Sequence, residues 1–346
     1  MYIKKKDIAK ELGLSPATVS LALNGRPGVS QETKKKIEEY VRQKTYGEFE
    51  MYPYEPQTFK GTVMILNYIK NGIIMDRVAR YPLIADEATK IAESRGYRFV
   101  VRIYDEQRES MEFLLEECRS KKIKAMYILA AEMTQGDIYP FLELKIPIVT
   151  GDNLFCGVGV DSFLIDNREG ISRCVDYLVD KGHSHIVYLA ENIDIFNFRE
   201  RREAFVQEMA RRECGDASNR IRYLGSNVEE VHASMCRYIA EGIKRTTAFV
   251  LESSIVSLGV GKALLEHQIR VPGDVSLIGF DALPPVSLPG IDLTLIKGTH
   301  TKRHLAAMEH LLRHMEGDND EIMRVYYKTR LLEGSSVFDK TKYIYR

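Results

Sequence analysis

From residue 61 onward, short apolar runs alternate with amphipathic stretches, and this alternation constrains the fold more than any other property of the chain. Runs suited to strands occur at Thr62–Asn67, Tyr97–Ile103, Ala125–Ala130, Ile146–Thr150, His185–Ala190, Arg220–Leu224, Thr247–Leu251 and Val275–Gly279. Helical spacing fills the intervals, as at Ile84–Arg95, Ser110–Ser120, Ile171–Lys181, Arg199–Arg212, Val228–Gly242 and Ser257–His267. Such regular exchange of strand and helix predicts parallel α/β layers. The strands are too many for one sheet, so two lobes are expected, with a ligand cleft at the C-terminal strand ends. A length of 346 residues allows two or three domains.

The first 46 residues differ in kind. They carry ten Lys/Arg against five Asp/Glu, in a chain whose formal net charge is zero. Residues 47–60 hold Glu48, Glu50 and Glu55 against Lys60, so a basic head precedes an acidic connector. That distribution suits a nucleic-acid-binding unit, although a solvated charged face has the same charge. Ile8, Ala9 and Leu12 sit at helical spacing and Gly13 follows as a stop. Ser15-Pro16 supplies an N-cap with proline at the first helical position, and Val19, Ala22 and Leu23 form an apolar stripe. Ser30 caps a third pattern whose apolar face is Ile37, Tyr40 and Val41, with Glu32 near the positive end of the dipole. Two short helices around a tight turn with a third behind them is the layout of a helix-turn-helix, or of a three-helix packing module without a DNA role.

The segment "IKKKDIAKELGLSPATVSLALNGRPGVSQETKKKIEEYV" resembles the DNA-binding head of the lac repressor/galactose repressor family. The likeness rests on D-I-A, L-S-x-x-T-V-S, L-N-G, and V-S-x-E-T ahead of a basic helix. It implies that Pro16, Ala17 and Leu21 stand at base-reading positions, with Ser15, Thr18, Ser20 and Asn24 also in the DNA-binding set. Many family members carry arginine where this chain has Leu21. Arginine bonds guanine bidentately, whereas leucine offers apolar contact to a thymine methyl, so readout should shift toward apolar contacts and DNA shape. Packing of Leu21 against the connector is the alternative.

The body resembles the periplasmic-binding-protein-like effector module of the same family, through "IPIVTGDN", "IDNREGISRCVDYLVDKGHSHIVYLAE", "FRERREAFVQEM", "VPGDVSLIGFD" and "RLLEGSSV". By this likeness residues 1–46 form the head, 47–60 a linker, and 61–340 an effector-binding and dimerisation body. One lobe is expected over about 61–161 plus 292–321, the other over about 162–291 plus 322–340. The implied effector-binding residues are Asp152, Arg201, Ser254 and Asp281. Arg201 belongs to "FRERREAF", where motif position favours a pocket role over the alternative, a surface salt bridge on an arginine-rich helix; a guanidinium fork there would grip carboxylate, phosphate or paired hydroxyls. The family usually shows Asn-Asp where this chain has Ser253-Ser254, and Gln where it has Gly298. Losing both weakens the expectation of a simple sugar as effector. Asp281 in "GFD" is retained and has a structural role as its alternative.

The connector departs furthest. The family continues past the third helix with Y-x-P-N-x-x-A-x-x-L, a hinge helix whose leucine wedges into the minor groove. Here Tyr46 is followed by "GEFEMYPYEPQTFKG", with Glu55 at the leucine position and Pro53 and Pro56 within. Two prolines forbid a regular helix and the acidic charge opposes phosphate, so an extended linker without wedging is expected, with Tyr52 or Tyr54 as docking candidates.

Other chemistry finds little support. Cys118, Cys156, Cys174, Cys214 and Cys236 are odd in number and form no CxxC pair, which argues against a disulfide framework and a cysteine-based zinc site. No metal site and no cofactor are expected. There is no Gly-rich phosphate loop, nucleophile elbow or HExxH, so no enzyme is expected. His183 and His185 in "GHSH" read as helix termination and surface solvation. "MYIKKKDIAKEL" lacks an apolar leader core and no run approaches the roughly 20 apolar residues of a membrane span, which implies a cytoplasmic protein with no membrane partner. The C-terminal "FDKTKYIYR" has no leucine heptads to support a tetramerising coiled coil. The expected molecule is a homodimeric transcription regulator, a repressor on a roughly palindromic double-stranded operator. Its effector is a sugar or another small metabolite. The alternative is a solute sensor whose head makes protein contacts instead.

Overall fold

The computed structural model describes residues 5–23, 28–30, 32–37, 40, 59–72, 81–243, 245–281, 283, 287–317 and 321–343. The connector at 46–58, including Tyr46, Tyr52, Tyr54 and Glu55, lies outside the described residues, as does Asn24.

In the head, α1 (Lys5–Leu12), α2 (Pro16–Leu23) and α3 (residues 32–37) enclose a small core. Ile8, Ala9, Val19, Ala22 and Ile37 are buried together, with Leu12, Leu14, Val29 and Tyr40 packed around them. Gly13 adopts φ +66°, and Leu14 N–H reaches back to the Ala9 carbonyl at 2.9 Å. That is a helix stop which a residue with a Cβ would strain.

By its contacts the chain divides into two units, Met1–Phe163 with Thr301–Arg324, and Leu164–His300 with Val325–Arg346. The first sheet has the strand order β11-β5-β4-β3-β1-β2: β1 (Thr62–Ile69), β2 (Arg98–Asp105), β3 (Ile123–Leu129), β4 (Ile148–Gly151), β5 (Asp161–Ile165) and β11 (Arg324–Tyr327). The pairs β1–β2, β1–β3, β3–β4 and β4–β5 are parallel. Its helices are α4 (Tyr81–Ser94), α5 (Met111–Ser120), the single turn α6 (Tyr139–Leu142) and α11 (His300–Met315). Every residue of β1 after Thr62 is buried, as expected for a central parallel strand covered on both faces.

The second sheet has the order β12-β10-β9-β8-β6-β7: β6 (Ile186–Glu191), β7 (Ile221–Gly225), β8 (Ala248–Leu251), β9 (Ser276–Phe280), β10 (Thr294–Lys297) and β12 (Arg330–Leu332), with β12 antiparallel to β10. Strand alternation deals its side chains into two cores. Tyr188, Ala190, Val250, Ile278, Phe280 and Ile296 meet α7 (Asn167–Asp180) and α8 (Phe196–Arg211). Leu189, Phe249, Leu251 and Leu277 meet α9 (Val228–Glu241) and α10 (Ser254–Glu266). Each fully buried large side chain among these contributes about 1.5–3 kcal/mol.

Residues 292–300, given to the first lobe by the sequence reading, fall in the second unit because β10 is bonded between β9 and β12. The reading of "GHSH" also needs correction. His185 is exposed, but His183 is buried, its Nε2 3.0 Å from the Phe338 carbonyl and 3.2 Å from Ser276 Oγ. Burial, the largest cause, pushes its imidazole below the ordinary histidine range.

Candidate DNA-binding and effector sites

In the head, Ser15 Oγ accepts the Thr18 backbone N–H at 3.0 Å and lies 2.8 Å from Thr18 Oγ1. This satisfies an orphan donor of α2 and fixes the helix start, with Pro16 in its first position. Pro16 and Ala17 are exposed, while Thr18, Ser20 and Leu21 are half-buried. A Cβ at Gly28 would lie 3.8 Å from Leu21 Cδ1, so the leucine lies beside Gly28. The outer face of α2 is thus short, capped, and apolar at the positions assigned to base contact. Ser30 repeats the device for α3, accepting Thr33 N–H at 3.1 Å.

In the first unit Asp152 follows β4 with φ +66°. Its carboxylate receives Arg303 Nη2 at 2.8 and 3.0 Å, and Arg303 Nη1 donates to the Phe163 carbonyl at 2.9 Å. The Arg303 side chain is 0% exposed and that of Asp152 18%. Arg303 also points Nη2 at His304 Nε2, 3.3 Å away, and His304 Nδ1 lies 2.7 Å from the Tyr127 hydroxyl. A guanidinium can only donate, so His304 Nε2 accepts and Nδ1 carries the proton offered to the Tyr127 oxygen. A Cβ at Gly151 would collide with the Tyr127 hydroxyl, which is why glycine precedes Asp152. At the same end of this sheet, buried Glu132 accepts three successive backbone N–H groups, from Lys70, Asn71 and Gly72, at 2.8, 2.7 and 3.1 Å. Lys70 Nζ pairs with Asp137 at 2.7 Å. Burial acts first to raise the Asp137 carboxyl, but the hydrogen bonds from Lys70 and Thr134 outweigh it and hold it below its ordinary range.

In the second unit Arg201 is 2% exposed, so the surface-bridge alternative does not describe it. Its Nε donates to Asn167 Oδ1 at 2.8 Å and its Nη1 to the Glu252 carbonyl at 2.7 Å. Its plane lies 3.5 Å from the Phe280 ring centroid, a desolvated cation–π contact, and Nη2 approaches Asp281 at 3.7 Å. Asp281 has φ +71° and meets His300 Nε2 at 3.1 Å. A Cβ at Gly298 would come within 3.3 Å of that same His300 nitrogen, so the imidazole lies beside the missing side chain. Arg202 grips fully buried Glu252 bidentately at 2.7 and 2.8 Å, and Glu191 N–H adds a bond at 2.7 Å. Burial acts to raise the Glu252 carboxyl, and the Arg202 fork opposes it. Ser253 caps α10 and donates to Glu191, and half-buried Ser254 takes the first helical position.

Arg201 and Asp281 are therefore adjacent, Ser254 begins α10 just past Glu252, and Asp152 belongs to the other unit. Sequence reading missed Arg303, Asn167, Glu252 and His300. "IDN" ahead of α7 and the cationic "TKRH" were the available signals, but neither has a local pattern that names its partner.

Residues 5–47 match the model for bacterial regulatory proteins of the lacI family, and residues 175–337 match the periplasmic binding protein-like domain. The HTH-type transcriptional regulator KdgR of Bacillus subtilis (strain 168) is 21% identical over 335 residues, covering 96% of this chain and 97% of that protein. The transcriptional regulator CelR–cellobiose complex superposes with a TM-score of 0.67 at 19% identity, over 97% of this chain and 100% of that one. The lac repressor dimer bound to operator and the anti-inducer ONPF gives 0.64 at 20% identity, over 98% and 100%. The chain thus joins a DNA-binding domain of the lacI family of bacterial regulatory proteins to a periplasmic binding protein-like domain.

Proposed function

We propose that this protein represses transcription as a cytoplasmic homodimer on a roughly palindromic operator, with a small molecule setting its affinity for DNA. The observation that carries this reading is the outer face of α2, capped by Ser15 and exposed at Pro16 and Ala17, within the segment that matches the lacI-family model. In this proposal Ser15, Thr18, Ser20 and Asn24 contact phosphate or cap the helix, while Pro16, Ala17 and Leu21 meet base edges. A two-fold dimer matches two half-sites, since one head offers too little interface for useful specificity. Residues 1–46 are the head, 47–60 the linker and 61–340 the effector-binding and dimerisation body, and the protein has no catalytic role. No described helix is long and apolar enough to cross a membrane.

The effector reading rests on Asp152, Arg201, Ser254 and Asp281, each at the C-terminal edge of its own sheet, where α/β proteins hold ligands. Asp152 is charge-balanced by Arg303, but a carboxylate has about four lone-pair directions, so it still accepts from a ligand hydroxyl. An effector changes DNA affinity only through its different affinity for the two states of the body.

Selection from randomised duplexes tests the DNA reading. A two-fold enriched site, with binding that weakens steeply as salt rises, is expected. No enriched site with a flat salt response would instead identify the head as a protein-contact module. For the effector, calorimetry with a panel of mono- and disaccharides including cellobiose should give binding that Arg201→Ala abolishes.

A further inference from the structure

On the second unit, away from the residues described so far, α9 and α10 bring three metal-ligating side chains together. His232 and Cys236 are one turn apart on α9 and share a face, and Glu266 ends α10. His232 Nε2 lies 2.7 Å from Glu266 Oε2 and 3.6 Å from Cys236 Sγ, and the three donor atoms fall within 4.8 Å of one another. No other group of three such donors occurs among the described residues. The two helices are held close beside them, since a Cβ at Gly259 of α10 would lie 2.5 Å from Val231 Cγ1 of α9.

We propose that His232 Nε2, Cys236 Sγ and a Glu266 carboxylate oxygen bind a divalent transition-metal ion of the zinc type, with water in the fourth position. Imidazole, thiolate and carboxylate all ligate zinc, at about 2.0–2.3 Å, and three protein ligands plus water is its open arrangement. Donors around such a tetrahedral ion stand roughly 3.3–3.7 Å apart, which follows from those bond lengths. The Cys236–His232 separation already has this value. The Glu266–His232 separation has to open by less than 1 Å, a small swing for a carboxylate whose side chain is 58% exposed. The thiolate and carboxylate together cancel the charge of the ion, and the sulfur ligand disfavours magnesium and calcium. Binding releases the Cys236 thiol proton to solvent. Exposure of Glu266 gives the ion an entry path, so the site exchanges with its surroundings. A search for CxxC could not find it, because its signature is His-x-x-x-Cys on one helix and a glutamate on the next.

Cobalt(II) titration of the full-length protein is the test, read by thiolate-to-cobalt charge-transfer absorption. One equivalent is expected to develop the band, and zinc(II) is expected to displace it. Cys236→Ser removes the band. His232→Asn and Glu266→Gln each weaken cobalt binding by more than about 100-fold, beyond the roughly 10–100-fold that outer-sphere changes commonly cost. Glu266→Gln retains a hydrogen-bond acceptor for His232, and circular dichroism confirms the fold of each variant. Cys156→Ser, at an exposed thiol elsewhere, leaves the band unchanged. Absence of the band in the wild type, its survival in Cys236→Ser, or its loss in Cys156→Ser would each overturn the proposal.

Discussion

At Arg303 a guanidinium is removed from water completely, and its desolvation is offset by the Asp152 carboxylate, the Phe163 carbonyl and the His304 nitrogen. Replacing it with methionine keeps most of the volume and leaves the largely buried Asp152 without its charge partner. Loss of one member of a buried pair costs about 3–5 kcal/mol, so Arg303→Met should lower the urea midpoint markedly. Arg303→Met/Asp152→Asn should recover part of the loss, and an unchanged midpoint in the single variant would contradict this account. His183 makes a pH-dependent prediction. Its folded pKa lies below the unfolded value of about 6.5, so the unfolded chain binds the proton that the folded chain refuses. Stability therefore falls as pH drops from 7 through the unfolded pKa, and levels off once the folded value is passed. Denaturant midpoints measured across that range should show a shallower decline in His183→Gln, which keeps a donor for the Phe338 carbonyl.

Among the elements, α2 depends most on a single cap. Ser15→Ala removes the acceptor for Thr18 N–H and should cost about 1 kcal/mol in head stability. DNA affinity should fall with it, measured by fluorescence anisotropy on a selected site, while Ser15→Asp should restore helix capping but not affinity because it adds negative charge near phosphate. The same capping chemistry explains why α1 and α2 were legible in the sequence. Strands β1, β3, β6, β8 and β9 were legible because parallel strands buried on both faces are nearly continuous apolar runs. The strands β11 and β12 were not: "RVYY" and "RLL" alternate exposed and half-buried residues over four and three positions, too short for a period to register. Helix α11 was obscured by its opening "HTKRH", whose Arg303 and His304 are buried against expectation for their type. Asp152 and Arg201 could be picked from their motifs. Their partners could not, since Arg303 is 151 residues from Asp152 and Asn167 is 34 from Arg201.

On the scale of the whole molecule, the chain leaves the first unit after Phe163, returns at Thr301 and leaves again after Arg324. Neither unit is a contiguous stretch of sequence, so no single truncation isolates one intact. A fragment ending at Thr299 should keep β6–β10 and most of both cores of the second sheet, lacking β12 and the segment after it, whose Val337 packs on one core and whose Ser336 bonds Leu277 and Thr294. The same fragment deprives the first unit of α11, whose Arg303, Ala307, Met308, Leu311 and Leu312 are fully buried. Limited proteolysis of this fragment should therefore protect the region from about residue 164 onward and digest the region before it. On the ribosome the order of completion is then the reverse of the order of synthesis. Domains made first commonly fold first, but here β3 and β5 must wait for a helix translated near the end, whose His304 and His310 meet Tyr127 and Phe163. That interval exposes Tyr127 and Phe163 to whatever holds nascent chains, and it makes the rate of elongation through residues 164–315 a determinant of yield.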